Sequence, residues 1–326
     1  MRTRLRSAAL VTGLALALTA CGSSDADPSS VAGDGDTVEV EDNNGTQSVP
    51  ADPTSVVATD NRTFETLAAW DVELSAAAVA LMPESNEYTK DDSIVDLGIH
   101  REPNLEAVVA VEPDLIINGQ RYADHHDKLS ELVPEATILE LDPREDQAFD
   151  EELKRQTSVL GEIFDKQDAA QQINDDFDAA IERATQAYDA DETVMGLNTS
   201  GGEFGYVAPG NGRVIGPVFD ILGLEPALDV KDGSDDHQGD DISVEAIAKA
   251  DPDWILVMDR DAAIAADDED YTPAKDLIEN SEALQDVTAV KKGNVLYMPA
   301  DTYLNEGIQT YTEFFDTFAD ALEGQS

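Results

Sequence analysis

The sequence predicts an α/β protein with two lobes of similar construction, joined by a long helical segment. From about residue 54 onward, short apolar runs alternate with helical patterns, which is typical of repeated strand–helix units. One such unit occurs twice, and a helical stretch without proline lies between the two copies. The chain of 326 residues is long enough for two lobes of ordinary domain size, and its 41% hydrophobic residues can supply a core for each.

The duplicated unit is a short helix followed by Pro-Asp and a strand. Its first copy covers residues 105–117 and its second covers residues 244–256, 139 residues further along the chain. Proline ends the helix and favours an extended approach to the strand in both copies. A spacing this long does not fit a solenoid but fits two lobes built alike.

The stretch between the two copies predicts the connection between the lobes. In residues 145–190 apolar side chains recur at helical spacing and no proline interrupts them. The latter half, residues 168–188, is the best candidate for a single connecting helix, which would be ~30 Å long. We therefore expect two Rossmann-like lobes held apart by one rigid helix.

The individual elements follow from the same patterns. Predicted strands lie at residues 55–58, 115–118, 137–141, 194–198, 204–207, 254–258 and 294–298, and predicted helices include residues 63–70 and 104–110. The predicted domains are a signal peptide at 1–20, a lipidated cysteine with a flexible tether at 21–53, an N-terminal lobe at 54–160, an inter-lobe helix at 161–190 and a C-terminal lobe at 191–326. A short strand at residues 37–40 is indicated within the tether.

The N-terminus has the pattern of an export signal. Arg2, Arg4 and Arg6 precede an uncharged apolar run at residues 8–20, which is too short to span a bilayer as a helix. The run ends in Leu-Thr-Ala-Cys at Cys21, which resembles the lipobox of bacterial lipoproteins. That resemblance implies lipidation of Cys21 and anchoring on the outer face of the membrane. The alternative is an ordinary secretory signal with an incidental cysteine.

Charge and cysteine content exclude several classes of function. Seventy Asp and Glu against twenty Lys and Arg give a net charge of −50, so the chain would be repelled by nucleic acids and anionic membrane surfaces. One cysteine excludes an intramolecular disulfide framework and a cysteine-based zinc cluster.

Arginines follow several of the predicted strands. Arg121, Arg213 and Arg260 lie in the segments that follow predicted strands in both lobes, and Arg62 follows the first predicted strand. Ligands of α/β lobes bind beyond the carboxyl ends of the strands. Because a guanidinium is a planar fork of donors that keeps its charge when buried, these arginines indicate a pocket for an anionic ligand. The alternative is that each arginine pairs with a surface carboxylate.

These features resemble the class III solute-binding lipoproteins of ABC importers, in the family that binds iron siderophores and cobalamin. The resemblance covers about residues 50–322 and is carried by Glu-Pro-Asn-Leu-Glu-Ala at 102–107 and Pro-Asp-Leu-Ile-Ile at 113–117. It implies a binding protein without catalysis or cofactor that delivers a ferric siderophore to a permease dimer with a cytoplasmic ATPase. It also implies a monomer anchored by lipid on the extracytoplasmic face of the cell membrane.

Within that family the chain is most similar to catecholate binders of the petrobactin and enterobactin type. The similarity implies ligand contacts from Arg121, Arg213 and Arg260, and iron coordination or rim contacts from His237 and Tyr303. A ferric tris-catecholate, with three negative charges, fits this set of arginines. The family's Gly-Arg-Gln reads Gly-Gln-Arg at residues 119–121. A solvated loop histidine and a packing tyrosine are the alternatives for His237 and Tyr303.

Three further residues have roles implied by the wider family. Arg101 lies in the loop where hydroxamate-siderophore binders place a contacting arginine, although a salt bridge at the helix entry is an equal alternative. Glu106 and Glu245 occupy equivalent positions in the two repeat copies, which suits docking of one glutamate per lobe to a dimeric permease. The alternative is a first-turn glutamate favoured by the helix dipole.

Other cargoes and activities fit the sequence less well. A site for free Zn²⁺ or Mn²⁺ usually needs three histidines with a carboxylate, and two of the four histidines, His125 and His126, are adjacent. Cobalamin or haem favours aromatic clefts, and aromatic residues make up only 6% of the chain. No G-x-S-x-G or H-E-x-x-H motif of a hydrolase occurs.

The net charge of −50 leads to a stability prediction. If the acidity is an adaptation to salt, self-repulsion lowers the melting temperature in dilute buffer, and raising KCl from about 0.1 M to about 1 M shortens the screening length from ~10 Å to ~3 Å. We therefore expect the melting temperature to rise with KCl in thermal unfolding followed by circular dichroism. Equal melting temperatures at both concentrations would contradict the prediction.

Overall fold

The computed structural model describes residues 37–228, 230 and 233–324. The strands in this part of the chain are β1 (Thr37–Asp42), β2 (Gly45–Pro50), β3 (Val56–Ala58), β4 (Ala76–Ala77), β5 (Val95–Asp96), β6 (Leu115–Asn118), β7 (Thr137–Glu140), β8 (Thr193–Ser200), β9 (Glu203–Val207), β10 (Glu225–Pro226), β11 (Asp240–Asp241), β12 (Trp254–Asp259) and β13 (Val295–Tyr297). Each of the seven strands predicted after residue 54 overlaps one of these.

The helices complete two α/β layers. The α-helices of the described residues are α1 (Phe64–Ala69), α2 (Leu105–Ala110), α3 (His126–Leu132), α4 (Phe149–Ile163), α5 (Gln167–Ala187), α6 (Gly216–Leu222), α7 (Val244–Ala250), α8 (Arg260–Ile264), α9 (Ala274–Asn280), α10 (Thr288–Lys292) and α11 (Ile308–Glu323). Short 3₁₀ turns lie at Val79–Leu81, Glu87–Lys90 and Gln120–His125. Among the described residues no helix is both long and apolar enough to span a bilayer.

The N-terminal lobe is built on a five-stranded parallel sheet with the order β5-β4-β3-β6-β7. Its central strands are buried on both faces, as expected for a parallel sheet covered by helices. Leu115 and Ile117 of β6 pack on one side, and Ile116 packs on the other. The alternation of side chains thus divides one apolar run between two cores.

The C-terminal lobe contains a six-stranded mixed sheet. The order is β11-β9-β8-β12-β13, with β10 beside the first residues of β8. Strands β8, β12 and β13 run parallel, whereas β9 returns antiparallel to β8 after a tight turn at Gly201 and Gly202. The carboxyl ends of β8 and β12 therefore lie at one edge of the sheet.

The Pro-Asp pair of the repeat performs the same structural task in both lobes. Asp114 accepts hydrogen bonds from the backbone N–H of Thr54 at 2.7 Å and of Ser55 at 3.1 Å, at the start of β3. Asp253 accepts one from the backbone N–H of Thr193 at 3.1 Å, at the start of β8. Each aspartate thus fixes the start of the neighbouring strand.

Two helices connect the lobes. The stretch predicted as nearly continuous is broken between α4 and α5, where Asp165 takes a left-handed backbone with φ 53°. A Cβ at Gly161 would lie 2.6 Å from the Cβ of Ala170, so this glycine allows the two helices to turn closely on each other. The predicted inter-lobe segment, residues 161–190, therefore contains the end of α4, the break and α5.

Helix α5 reaches both cores. Ala170 packs in the N-terminal core, whereas Phe177, Ala180 and Ala184 pack in the C-terminal core. Helix α4 runs alongside in the opposite direction, with Leu153 in the C-terminal core and residues from Val159 onward in the N-terminal core. The connection is thus a helical hairpin rather than a single rod.

The expectation of a flexible tether up to residue 53 is wrong for residues 37–50. They form the antiparallel hairpin β1–β2, whose Val40 and Val49 are buried in the N-terminal core. The hairpin is tied to β7 by a hydrogen bond from the Asn43 N–H to the Glu140 carbonyl, at 2.9 Å. The short strand indicated at residues 37–40 is confirmed as part of β1, whereas the polar composition of the segment gave no sign of β2 or of its packing on the core. Residues 21–36 and the signal peptide lie outside the described residues.

A buried carboxyl group joins the end of β3 to α4. Asp60 accepts hydrogen bonds from the backbone N–H of Arg62 at 2.9 Å and from Nε2 of Gln156 at 2.8 Å. Burial, together with the charge of Asp142, raises the pKa of Asp60 from 3.8 to about 7. Asp60 thus keeps its proton in the folded protein under conditions in which it is ionised in the unfolded chain.

The raised pKa of Asp60 predicts a pH dependence of stability. The folded state binds more protons than the unfolded state between the two pKa values, so the contribution of Asp60 is present at low pH and is lost as the pH rises towards 7. Between about pH 5 and about pH 7, Asp60→Asn should gain about 2 kcal/mol in free energy of unfolding relative to the wild type. Urea unfolding at several pH values measures this difference, with the exposed Asp92→Asn as control. A difference that does not change with pH would contradict it.

Candidate functional site

A cavity of about 1090 Å³ is lined by residues of both lobes. Arg62, after β3, and Arg121, in the 3₁₀ turn after β6, reach it from the N-terminal lobe. Arg213, ahead of α6, and Arg260, directly after β12, reach it from the C-terminal lobe. Segments that follow strands of two separate sheets therefore bring their arginines to one cavity.

Three of these arginines surround the ring of Tyr303. The guanidinium carbons of Arg121, Arg260 and Arg213 lie 4.6, 4.8 and 5.2 Å from the ring centroid. Nη2 of Arg121 also donates to the carbonyl oxygen of Tyr303 at 2.8 Å. Burial opposes ionisation of the phenol, but hydrogen bonds from Arg121 and Arg260 and the charges of Arg121 and Arg213 lower the pKa of Tyr303 below its ordinary value. The ring is held between positive charges from both lobes.

A buried glutamate, Glu306, lies among the same arginines. Arg213 donates a hydrogen bond to it, and Nη2 atoms of Arg62 and Arg121 lie 3.5 and 3.8 Å from its carboxylate oxygens. Its side chain is only 2% exposed. Burial would raise its pKa, but the charges of Arg213 and Arg62 lower it, so the carboxylate is ionised. Glu306 thus links arginines of the two lobes electrostatically.

Two further carboxylates pair with the arginines at the edge of the cavity. Nη1 of Arg62 donates to Asp142 at 3.0 Å, and Nη1 of Arg260 lies 3.2 Å from Asp261. Arg260 also donates to the hydroxyl of Ser200 at 3.1 Å. These pairs hold the guanidinium groups in place before any ligand enters.

The other predicted binding residues lie nearer the mouth. Arg101 is exposed, and the side chain of His237 is 40% exposed; both line the cavity. The carbonyl of His237 accepts a hydrogen bond from Asn198 at 2.8 Å, which fixes the backbone of its loop. The structure therefore brings together the arginines, the tyrosine and the histidine that the sequence analysis selected.

Charged or titratable residues in or beside the cavity that were not predicted from the sequence include Arg144, His100 and Glu306. Arg144 lines it and pairs with Glu152 through Nε at 2.9 Å, and His100 lines it beside Arg101. Glu306 is the third, buried behind the lining against Arg62, Arg121 and Arg213. Arg144 follows the predicted strand at 137–141 by three residues, as Arg121 follows the strand at 115–118, so its position was one available signal. The rarity of arginine was another, since six of the eight arginines beyond Cys21 line the cavity. Glu306 is one of seventy acidic residues and offered no such signal.

The two repeat glutamates lie on the surface. Glu106 and Glu245 are exposed in the first turns of α2 and α7. Asn104 and Ser243 cap these helices in the same way, each accepting a backbone hydrogen bond at 3.2 Å. The two glutamates therefore occupy equivalent local structures, one per lobe, and Cys21 lies outside the described residues.

The histidines do not form a metal site with acidic neighbours. Nδ1 of His126 lies 2.7 Å from Glu140, whereas Nε2 of His125 lies 2.7 Å from the carbonyl oxygen of His100, so the two adjacent rings diverge. Within the described part of the chain, no group of three or more His, Cys, Asp or Glu side chains is placed to hold a bare metal ion.

Comparisons with known proteins agree on one family. The family model described as periplasmic binding protein matches residues 56–302. The petrobactin-binding protein YclQ of Bacillus subtilis is 30% identical over 294 residues, which cover 86% of each chain. The ferric-anguibactin-binding protein FatB of Vibrio anguillarum is 28% identical over 268 residues, covering 82% of this chain and 81% of FatB.

Solved structures show the same architecture. The crystal structure of YclQ superimposes with a TM-score of 0.74 at 25% identity, covering 88% of this chain and 99% of YclQ. The siderophore-binding protein BauB, solved with two molecules of acinetobactin and ferric iron, gives the same TM-score, identity and coverage. The fold is that of class III binding proteins, with two lobes and a helical connection, and the family consists of binding proteins rather than enzymes. The chain belongs to the periplasmic binding protein family.

Proposed function

We propose that this protein captures a ferric siderophore of catecholate or mixed catecholate–carboxylate type for import by an ABC transporter. The observation that carries the proposal is the convergence of Arg62, Arg121, Arg213 and Arg260 on one cavity between the lobes. Relatives named for binding petrobactin and ferric anguibactin, similar along more than four fifths of the chain, support this class of cargo.

The chemistry of the cavity suits such a chelate. Catecholate and carboxylate oxygens are anionic acceptors in planar pairs, which match the donor fork of a guanidinium. Aromatic rings of a catecholate can also stack against guanidinium planes, as the ring of Tyr303 does here. Arginine therefore recognises both the charge and the flat shape of the ligand.

Tyr303 and His237 are proposed as iron ligands or rim contacts for a siderophore that leaves coordination sites open. Although burial opposes ionisation, the arginines around Tyr303 lower its pKa, which eases loss of the phenol proton when the oxygen binds ferric iron. His237 reaches the same cavity from an exposed loop, where its neutral imidazole could bind a metal.

Delivery would use the surface of both lobes. We propose that Glu106 and Glu245 dock to the two halves of a permease dimer, because they are exposed in equivalent helix turns. Lipidated Cys21 would keep the monomer at the extracytoplasmic face of the membrane. The energy would come from a cytoplasmic ATPase, while this protein itself supplies binding and release.

Capture requires little movement in this proposal. The helical hairpin of α4 and α5 packs into both cores, and Glu306 joins arginines of the two lobes. Both features favour a site that is largely formed before the ligand arrives. The specificity would then come from fixed side chains rather than from extensive closure.

The proposal predicts that arginines from both lobes are needed for binding. In isothermal titration calorimetry with residues 22–326, a ferric catecholate chelate should bind with a Kd of about 1 µM or lower. The double substitution Arg121→Gln and Arg260→Gln removes one charged donor group from each lobe, and loss of two charge-assisted contacts should weaken binding by at least about 100-fold.

Arg183→Gln is the matched control. Arg183 lies on α5 and pairs with Asp316, Asp320 and Glu323, outside the cavity, so the same chemical change there should leave the Kd unaltered. Tight binding of cobalamin, haem, Zn²⁺ or Mn²⁺ without binding of any ferric chelate would refute the proposed cargo. Binding of a ferric hydroxamate alone would keep iron transport but assign the ligand contact to Arg101.

A further inference from the structure

The charges of the cavity limit the charge of its ligand. The four arginines Arg62, Arg121, Arg213 and Arg260, here called the arginine cluster, are matched by three carboxylates. These partners are Asp142, Glu306 and Asp261, each within 4 Å of a guanidinium nitrogen of the cluster. The cluster and its partners therefore carry one net positive charge.

The other charged residues of the lining carry a net negative charge. Arg144 shares the carboxylate of Glu152 with Arg155, so these three side chains carry one net positive charge, and Arg101 is the remaining arginine of the lining. Five acidic side chains share the lining with it: Asp124, Glu145, Asp150, Asp220 and Asp235. A ligand with several negative charges would pass these carboxylates and would then meet only one uncompensated positive charge inside.

On this basis, and resting on the proposed function, we infer that the cavity selects a ferric chelate with a net charge close to −1, and that Glu306 is a specificity-determining residue that sets this preference. Ferric iron held by two catecholates has this charge, because each doubly deprotonated catecholate contributes two negative charges. Iron held by three catecholates carries three. Charge that is not matched in a partly buried site weakens binding, so the second chelate is disfavoured.

The position of Glu306 explains why it has the largest influence. It contacts Arg62, Arg121 and Arg213, and thus offsets positive charge from both lobes at once. Its side chain is 2% exposed, whereas those of Asp142 and Asp261 are 23% and 18% exposed. Water screens the field of Glu306 less than that of its two neighbours.

The test compares two synthetic chelates of Fe³⁺, a linear bis-catecholate and a tripodal tris-catecholate, by calorimetry at one ionic strength. The wild type should bind the bis-catecholate at least about tenfold more tightly. Glu306→Gln adds one net positive charge. For a separation of about 10 Å and an effective dielectric constant of about 20, one added charge changes the relative affinities of two ligands that differ by two charges by well over tenfold before screening. The ratio of the two Kd values should therefore shift towards the tris-catecholate by about tenfold.

Asp261→Asn provides a second variant with the same charge change at the partly exposed edge of the cavity, and it serves if Glu306→Gln does not fold. Asp316→Asn is the control, since it changes the total charge equally but lies on α11, where Asp316 pairs with Arg183. The control should bind both chelates with the wild-type ratio.

The outcomes separate the inference from the proposed function. Binding of both chelates with a ratio that Glu306→Gln and Asp261→Asn leave unchanged, or a wild-type preference for the tris-catecholate, would overturn the inference and leave siderophore capture standing. Failure of the wild type to bind any ferric chelate would overturn the proposed function and the inference together.

Discussion

The buried carboxylate of Glu306 is the interaction on which the site depends. Without it, guanidinium groups from two lobes would face each other at short range in a partly buried space, and their repulsion would push the lobes apart. With it, the guanidinium groups of Arg62, Arg121 and Arg213 are partly neutralised and can lie close together at the cavity. The same carboxylate holds the lobes in register and reduces the charge that remains available to a ligand.

The sheets and most of the arginine positions could be predicted because they follow from local patterns. The strands after residue 54 are recognisable in the sequence as apolar runs, and parallel strands bring their carboxyl ends to one edge of a sheet. The placement of Arg121 and Arg260 at one cavity follows from that topology, whereas Arg213 follows β9, which runs antiparallel to β8, and reaches the cavity through the loop ahead of α6. Two-residue strands such as β4 and β11 could not be predicted, since they exist only through pairing with longer neighbours.

The remaining errors arose where tertiary packing overrode composition. Apart from the strand indicated at residues 37–40, the segment of β1 and β2 has the composition of a polar linker, yet its Val40 and Val49 pack in a core formed by distant strands. No proline marks the break after α4, which depends on a left-handed Asp165 and on the contact between Gly161 and Ala170. The role of Glu306 could not be predicted for a related reason, because it depends on arginines that are distant in the sequence and close only in the folded protein.

The helical hairpin between the lobes has a consequence for how a transporter would use this protein. Two antiparallel helices packed into both cores resist bending, so the spacing of exposed side chains such as Glu106 and Glu245 would be nearly the same with the cavity empty or filled. A permease that recognised only this spacing would bind the empty and the loaded protein equally well. Uptake would then depend on the fraction of binding protein that carries cargo. When the ligand is scarce, unloaded binding protein would compete with the loaded protein for the permease.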